Sequence, residues 1–238
     1  MGKDILILKN ISREGPGLIE DVLREHNLQY DIIEPDQIHH IKSIEKLGAL
    51  IVLGGPDSAN DTDLKMKNEL DLIHKVISAK IPYLGICLGL QTLVKAMGGQ
   101  VVKCETKETG FRNQYDKYYK IELTPQGRND ALFKNLPDSF TVFQLHGETV
   151  QLSSRMILLA SGDTCKNQIV RIGDNAYGIQ CHFELKEDML DLWIKHDQDL
   201  QQLDKNQIKS DFKALNDDYL KTGRQLIKNF LSIAGFYY

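Results

Sequence analysis

Cys87 stands in the run Gly85-Ile86-Cys87-Leu88-Gly89, where a short apolar stretch gives way to an amphipathic one. Small residues on both sides of a nucleophile let a tight strand-to-helix turn form without side-chain clashes. The first turn of the following helix offers unpaired backbone N–H groups and a positive dipole end that favours an anion. The N–H of Leu88 would face the oxygen of a carbonyl under attack. A lone cysteine in such a run would equally serve as a small buried hydrophobe, so the neighbours decide. His182 and Glu184 close the run Gly178-Ile-Gln-Cys-His-Phe-Glu184. Residues two apart in extended chain face the same way. Glu184 can therefore orient His182 while the imidazole faces the Cys87 thiol, giving nucleophile, base and orienter. Cys181 points to the opposite face and reads as core. Gly54-Gly55-Pro56 would place a loop beside the elbow, with Gly54 allowing close approach and the Gly55 N–H free to complete an oxyanion hole. Taken alone, that tripeptide is also plain turn chemistry.

The elements that must hold these residues are legible as alternating periods. Residues 4–8 read as a strand, 17–26 as a helix, 30–33 and 49–53 as strands, 64–79 as a helix, 83–86 as a strand and 88–97 as a helix ending at Gly98-Gly99. Such alternation implies a parallel sheet with right-handed crossovers, whose working loops follow Leu53 and Ile86 at the carboxyl ends of strands. Shorter β-type runs follow at 118–123, 139–143, 156–160, 168–172 and 177–181. Beyond Glu184 the chain is helical and polar, with apolar positions at Leu190, Trp193, Ile194, Leu200 and Leu203, then Ile208, Phe212, Leu215, Leu220, Leu226 and Phe230. The fold class expected is α/β: an open, doubly wound, mostly parallel sheet with helices on both faces, a small antiparallel extension and a helical C-terminal appendage. Residues 1–185 form the α/β domain and 186–238 an extension packed on it.

Composition narrows the function further. At 238 residues and a net charge of −4, the chain gives no electrostatic reason to expect nucleic acid or an anionic lipid surface. No window reaches the roughly 18 apolar residues that span a bilayer, and residues 1–10, interrupted by Asp4, do not read as a signal peptide. Cys87, Cys104, Cys165 and Cys181 form no C-x-x-C pair and keep no regular spacing. That speaks against a disulfide framework and against zinc, and for a reduced, cytoplasmic compartment. No cofactor or metal is expected. His39-His40 reads as an exposed pair, Lys65, Lys67 and Lys75 as a solvated helix face, and Trp193 and Phe236-Tyr237-Tyr238 as packing of the tail.

GGPDS after one strand, G-I-C-L-G-L-Q after the next and G-I-Q-C-H-F-E near the end resemble, in order and separation, the class I glutamine amidotransferases. The resemblance covers roughly residues 1–185. It implies a Cys-His-Glu triad of Cys87, His182 and Glu184, a γ-glutamyl thioester and release of ammonia from glutamine. Gln91 matches the position that holds the substrate, one helical turn beyond Cys87. Glu108-Thr-Gly110 resembles the segment contacting the substrate's amino-acid end. His146-Gly147-Glu148 resembles a His-Gly-acid loop, with Glu148 set for the substrate ammonium. Glu108, His146 and Glu148 would equally suit solvated loops. Cys165-Lys-Asn-Gln-Ile-Val-Arg171, with Phe143-Gln-Leu-His146, resembles a stand-alone branch akin to the glutaminase domain of GMP synthase and to γ-glutamyl peptidases.

Three functions follow. One is a glutaminase serving a separate ammonia-accepting synthetase subunit, since these 238 residues show no acceptor-activating module and no G-x-x-x-x-G-K-[ST] loop. Another is a peptidase cleaving larger γ-glutamyl compounds, with water as acceptor. The third is a non-catalytic regulatory protein on the same scaffold. The apolar-striped tail suits a cover for the core, a homodimer contact or a partner's docking site.

Overall fold

The structure is a computed structural model describing residues 4–41 and 43–236, apart from the side chain of His40. Tyr237 and Tyr238, expected to pack in the tail, lie outside the described residues. Strands β1 (Asp4–Leu8), β2 (Tyr30–Ile33), β3 (Leu47–Val52) and β4 (Tyr83–Ile86) alternate with helices α1 (Leu18–Glu25), α2 (Leu64–Ser78) and α3 (Leu88–Ala96). After these come β5 (Gln100–Gly110), β6 (Lys120–Leu123), a short helix α4 (Pro125–Arg128), β7 (Ser139–Thr141), β8 (Gln144–Gln151), β9 (Met156–Gly162), β10 (Ile169–Ile172) and β11 (Ala176–Ile179). The chain then forms α5 (Glu187–His196) and the long α6 (Lys205–Ile233).

The main sheet runs β2-β1-β3-β4-β11-β10-β9-β6-β7. Its first five strands are parallel, and the remaining four continue it antiparallel. This is the expected α/β architecture with a helical C-terminus. Along β1 and β3 the side chains divide by the period of two. Ile5, Ile7, Ala49 and Ile51 pack with α1 and with Leu226, Ile227, Phe230 and Leu231 of α6. Leu8, Leu50 and Val52 face Met66, Ile73 and Val76 of α2 and Leu90 and Leu93 of α3. Both faces are covered, so these strands read as nearly continuous apolar runs.

β5 and β8 form a separate two-stranded antiparallel ribbon, with Glu108 opposite His146 and Gly110 opposite Gln144. The Glu108–Gly110 and His146–Glu148 stretches therefore belong to paired strands, where loops were expected. A third apolar cluster joins Phe111 and Phe143 to Trp193, Leu200, Phe212 and Tyr219 of the tail. Phe236 packs against the core that contains α6. Lys67 and Lys75 are exposed as expected. Lys65 instead reaches back to donate to the Asn10 carbonyl at 2.9 Å and pairs with Asp57.

Candidate active site

Cys87 caps α3 with φ 52° and ψ −103°, positive φ at a residue with a side chain. Such a conformation persists only where its surroundings over-determine it. The Cys87 N–H donates to the Ile179 carbonyl at 2.7 Å, tying the elbow to β11. Its own carbonyl accepts from the N–H groups of Leu90 at 3.1 Å and Gln91 at 3.2 Å. The two flanking glycines are required by close approach. A Cβ on Gly85 would fall 2.2 Å from the Gly89 carbonyl oxygen, and one on Gly89 would fall 2.3 Å from that of Val52. The G-x-C-x-G pattern is thus the imprint of α3 pressed onto β3 and β4. Leu88 opens α3, where an N–H has no partner within the helix.

His182 is held by a bridge to Phe143, its N–H donating to the Phe143 carbonyl at 2.8 Å. Its Nδ1 lies 2.7 Å from Glu184 Oε1, and Glu184 Oε2 accepts from the Phe183 N–H at 2.9 Å. Both side chains are buried, and the imidazole stands beside Cys87, whose Sγ lies 3.6 Å from the Leu145 carbonyl oxygen and 3.8 Å from Gln180 Nε2. A Cβ added at Gly54 would stand 3.1 Å from His182 Cε1 and 3.5 Å from Cys87 Cβ, so Gly54 leaves the space where the two side chains meet. Burial alone would push the imidazole toward neutrality, but the Glu184 carboxylate and Cys87 outweigh it and hold the His182 pKa well above its ordinary value. A thiol, an imidazole and a carboxylate therefore stand in series, an arrangement able to ionise the thiol and carry its proton.

The tail supplies groups that the sequence did not single out. The Trp193 ring meets His182 edge-on, with centroids 4.8 Å apart, and the Tyr219 hydroxyl donates to the His182 carbonyl at 2.8 Å. Trp193 stands in the first apolar series of the tail, and Tyr219 stands in neither series.

A cavity of about 310 Å³ opens over Cys87 and His182. Gly55, Gln91, His146 and Glu148 line it with them. Gln91 Nε2 donates to the Glu148 carbonyl at 3.1 Å, and the Glu148 carboxylate accepts from Ser58 Oγ at 2.8 Å. Arg13, Glu14, Lys107, Asp197 and Asp199 form a charged rim that sequence reasoning missed. Burial raises the Glu14 carboxyl pKa against the pull of His182. Gly54, Glu108 and Gly110 do not line this cavity. Gly110 sits at the end of β5 beside Leu203. Glu108 is buried behind the wall, with Oε2 3.0 Å from His146 Nε2. A larger cavity of about 440 Å³, near β7 and α6, is lined by neither cysteine nor histidine.

Behind the same wall, Cys104, Cys165 and His146 come together although they are far apart in sequence, with their ligand atoms all within 4.8 Å of one another. The neighbouring Cys104 thiol holds the Cys165 thiol below its ordinary range against its burial, and the same pairing raises Cys104. Burial pushes the Cys181 thiol well up, in keeping with its place in the core. His39 is exposed.

Residues 17–192 match the family model of glutamine amidotransferase class-I. The glutamine amidotransferase-like protein YfeJ of Salmonella typhimurium is 31% identical over 159 residues, covering 65% of this chain and 64% of that protein. A glutamine-hydrolyzing GMP synthase of Lactobacillus acidophilus is 31% identical over 186 residues. That match takes in 77% of this chain but only 33% of the synthase. The chain thus spans under two thirds of YfeJ and a third of the synthase. A solved glutamine amidotransferase from Thermotoga maritima superposes with a TM-score of 0.85 at 25% identity, over 97% of this chain and 99% of that one. No helix among the described residues is long and apolar enough to cross a membrane.

Proposed function

The chain belongs to the class-I glutamine amidotransferase family, and we propose that it hydrolyses the side-chain amide of glutamine with Cys87 as nucleophile. The observation that carries this reading is the buried series Cys87, His182 and Glu184, with Nδ1 of His182 2.7 Å from Glu184, at the foot of a cavity. The Cys87 thiolate attacks the carboxamide carbon, and the new oxyanion accepts from the N–H groups of Leu88 and Gly55. His182, having taken the thiol proton, gives it to the departing nitrogen, and ammonia leaves a γ-glutamyl thioester. His182 then takes a proton from water, hydroxide attacks the thioester, and glutamate is released with the thiol restored. Glu184 keeps one tautomer facing Cys87 and offsets the imidazolium charge. Gly54 gives the substrate room, and Gln91 and Glu148 hold its amino-acid end, on a wall that the buried His146 braces. Glu108 and, more remotely, Gly110 act through the ribbon that carries His146.

Residues 186–238 act as an extension of this domain that steadies His182 through Trp193 and Tyr219. The likeness to a third of a GMP synthase supports a partnership with an ammonia-accepting synthetase subunit, and the four free cysteines suit a cytoplasmic setting. The rim of Arg13, Lys107, Asp197 and Asp199 favours a second reading, hydrolysis of larger γ-glutamyl compounds whose leaving groups would meet those charges.

The test is ammonia or amine release by the purified chain from glutamine and a panel of γ-glutamyl compounds, with Cys87→Ala as control. Cys87-dependent turnover of glutamine supports the first reading, and preference for a bulky leaving group supports the second. Full turnover by Cys87→Ala would refute both.

A further inference from the structure

We propose that Cys104 of β5, His146 of β8 and Cys165 of the loop before β10 form a zinc site in the wall of the cavity over Cys87. Two thiols and an imidazole are the donor set that zinc selects. Cys104 Sγ lies 3.6 Å from His146 Nδ1. A tetrahedral ion with Zn–S of about 2.3 Å and Zn–N of about 2.0–2.1 Å separates those two ligands by about 3.6 Å. Cys165 Sγ lies with them inside the 4.8 Å limit.

The surroundings point to a ligand independently of that spacing. His146 Nε2 is 3.0 Å from the Glu108 carboxylate, and both side chains are 1% exposed. A carboxylate on the far nitrogen fixes the tautomer and orientation of a metal-binding histidine. The same carboxylate accepts from the Cys165 N–H at 3.2 Å and from Gln168 Nε2 at 3.1 Å, so it pins two of the ligand-bearing residues together. When Nε2–H is given to Glu108, Nδ1 presents a lone pair to the Glu148 carbonyl only 3.0 Å away. A proton or a cation at Nδ1 lets this nitrogen sit against that carbonyl, which also accepts from Gln91 Nε2 at 3.1 Å. Thr149 Oγ1, 3.1 Å from Cys165 Sγ, can donate to a thiolate.

Binding takes both sulfurs as thiolates, releases to solvent the protons they still carry, forms two Zn–S bonds and one Zn–N bond, and changes no oxidation state. Cys104, half-buried, is the side from which the ion enters, and the fourth position is left to water. The ion would fasten the register break of β5, between Lys103 and Glu108, to β8 and to the loop before β10. β8 also carries Glu148 into the cavity over Cys87. Metal occupancy would thereby set the wall of that cavity.

The experiment titrates the reduced, chelator-stripped full chain with zinc against a chromophoric chelator, and separately with cobalt(II) followed by absorption. We expect about one ion per chain, with a thiolate-to-cobalt charge-transfer band and tetrahedral d–d bands. Cys104→Ser and Cys165→Ser should lose the band, Cys87→Ala should keep it, and Glu108→Gln should weaken zinc binding roughly 10–100-fold. The wild-type cobalt spectrum tests the site even if a variant fails to fold. Absence of a thiolate band, its survival in Cys104→Ser or its loss in folded Cys87→Ala would overturn the proposal. So would a Cys104–Cys165 disulfide in a protein that, once reduced, still binds no ion.

Discussion

Replacing Gly89 by alanine sets two physical effects against each other. Gly89 is the second residue of α3, and alanine there should favour the helix by about 1 kcal/mol. The added Cβ, however, would lie 2.3 Å from the Val52 carbonyl oxygen and 3.0 Å from its carbon. Both neighbours are backbone of a central strand, so neither can rotate away, and α3 must retreat by about 1 Å. Overpacking of this kind costs about 1–3 kcal/mol, and a contact between two backbones belongs near the upper end. The clash therefore wins by about 2 kcal/mol, which lowers Tm by roughly 4–8 °C for a chain of this size. Retreat of α3 also moves Leu88 N–H and Cys87, and a displacement of about 1 Å costs about 10²-fold in rate. Thermal melts and kcat/KM for glutamine hydrolysis measure the two effects. Gly15→Ala, with nothing within 4 Å of the new Cβ, is the matched control. A Gly89→Ala protein with raised Tm and unchanged kcat/KM would refute the account of the elbow.

Glu184→Gln should lower kcat/KM by on the order of 10³–10⁴-fold, because the neutral amide no longer offsets the imidazolium. In the wild type the raised His182 pKa contributes stability that is fully present below the unfolded value of about 6.5 and lost as pH rises through the folded one. The stability gap between wild type and Glu184→Gln, read from urea melts, should therefore be widest below about pH 6.5 and narrow as pH rises through the raised folded value. Glu69 is fully buried, and burial raises its carboxyl to about 7. The folded state then holds a proton that the unfolded chain releases, so stability falls as pH rises from about 4.5 to 7. Glu69→Gln should remove that slope, a difference of about 3 kcal/mol at its largest, and an unchanged slope in urea melts would reject the assignment. Tyr219→Phe strands the His182 carbonyl and should cost about 1–3 kcal/mol, measured by chemical denaturation.

The parallel half of the fold and the groups around Cys87 were legible because each is written locally. β1, β3 and β4 are buried on both faces and read as apolar runs, and the glycines at 85 and 89 mark a close approach. The β5–β8 ribbon was not legible as paired strands. It lies outside the main sheet, and its sequence around Glu108 and His146 is polar. Its buried groups are satisfied by one another across the pair instead of by an apolar face. The cluster of Cys104, His146 and Cys165 is hidden for the same reason, since it needs the register break in β5 and a loop from beyond β9. Trp193 looked like tail packing and is that, but its neighbour is His182, a fact that no spacing within α5 encodes. Lys65 likewise sits on a surface helix while its head group crosses to Asn10.

The central claim is that Cys87 is the thiol that forms the γ-glutamyl bond. Intact-mass and peptide mapping after brief exposure of the full chain to an electrophilic glutamine analogue tests it most directly, because it needs neither an acceptor nor a partner subunit. The account predicts a single adduct on Cys87, formed far faster than on Cys104, Cys165 or Cys181, blocked by glutamine and slowed in Glu184→Gln. An adduct spread over several cysteines, or one on Cys87 that glutamine does not prevent, would contradict it.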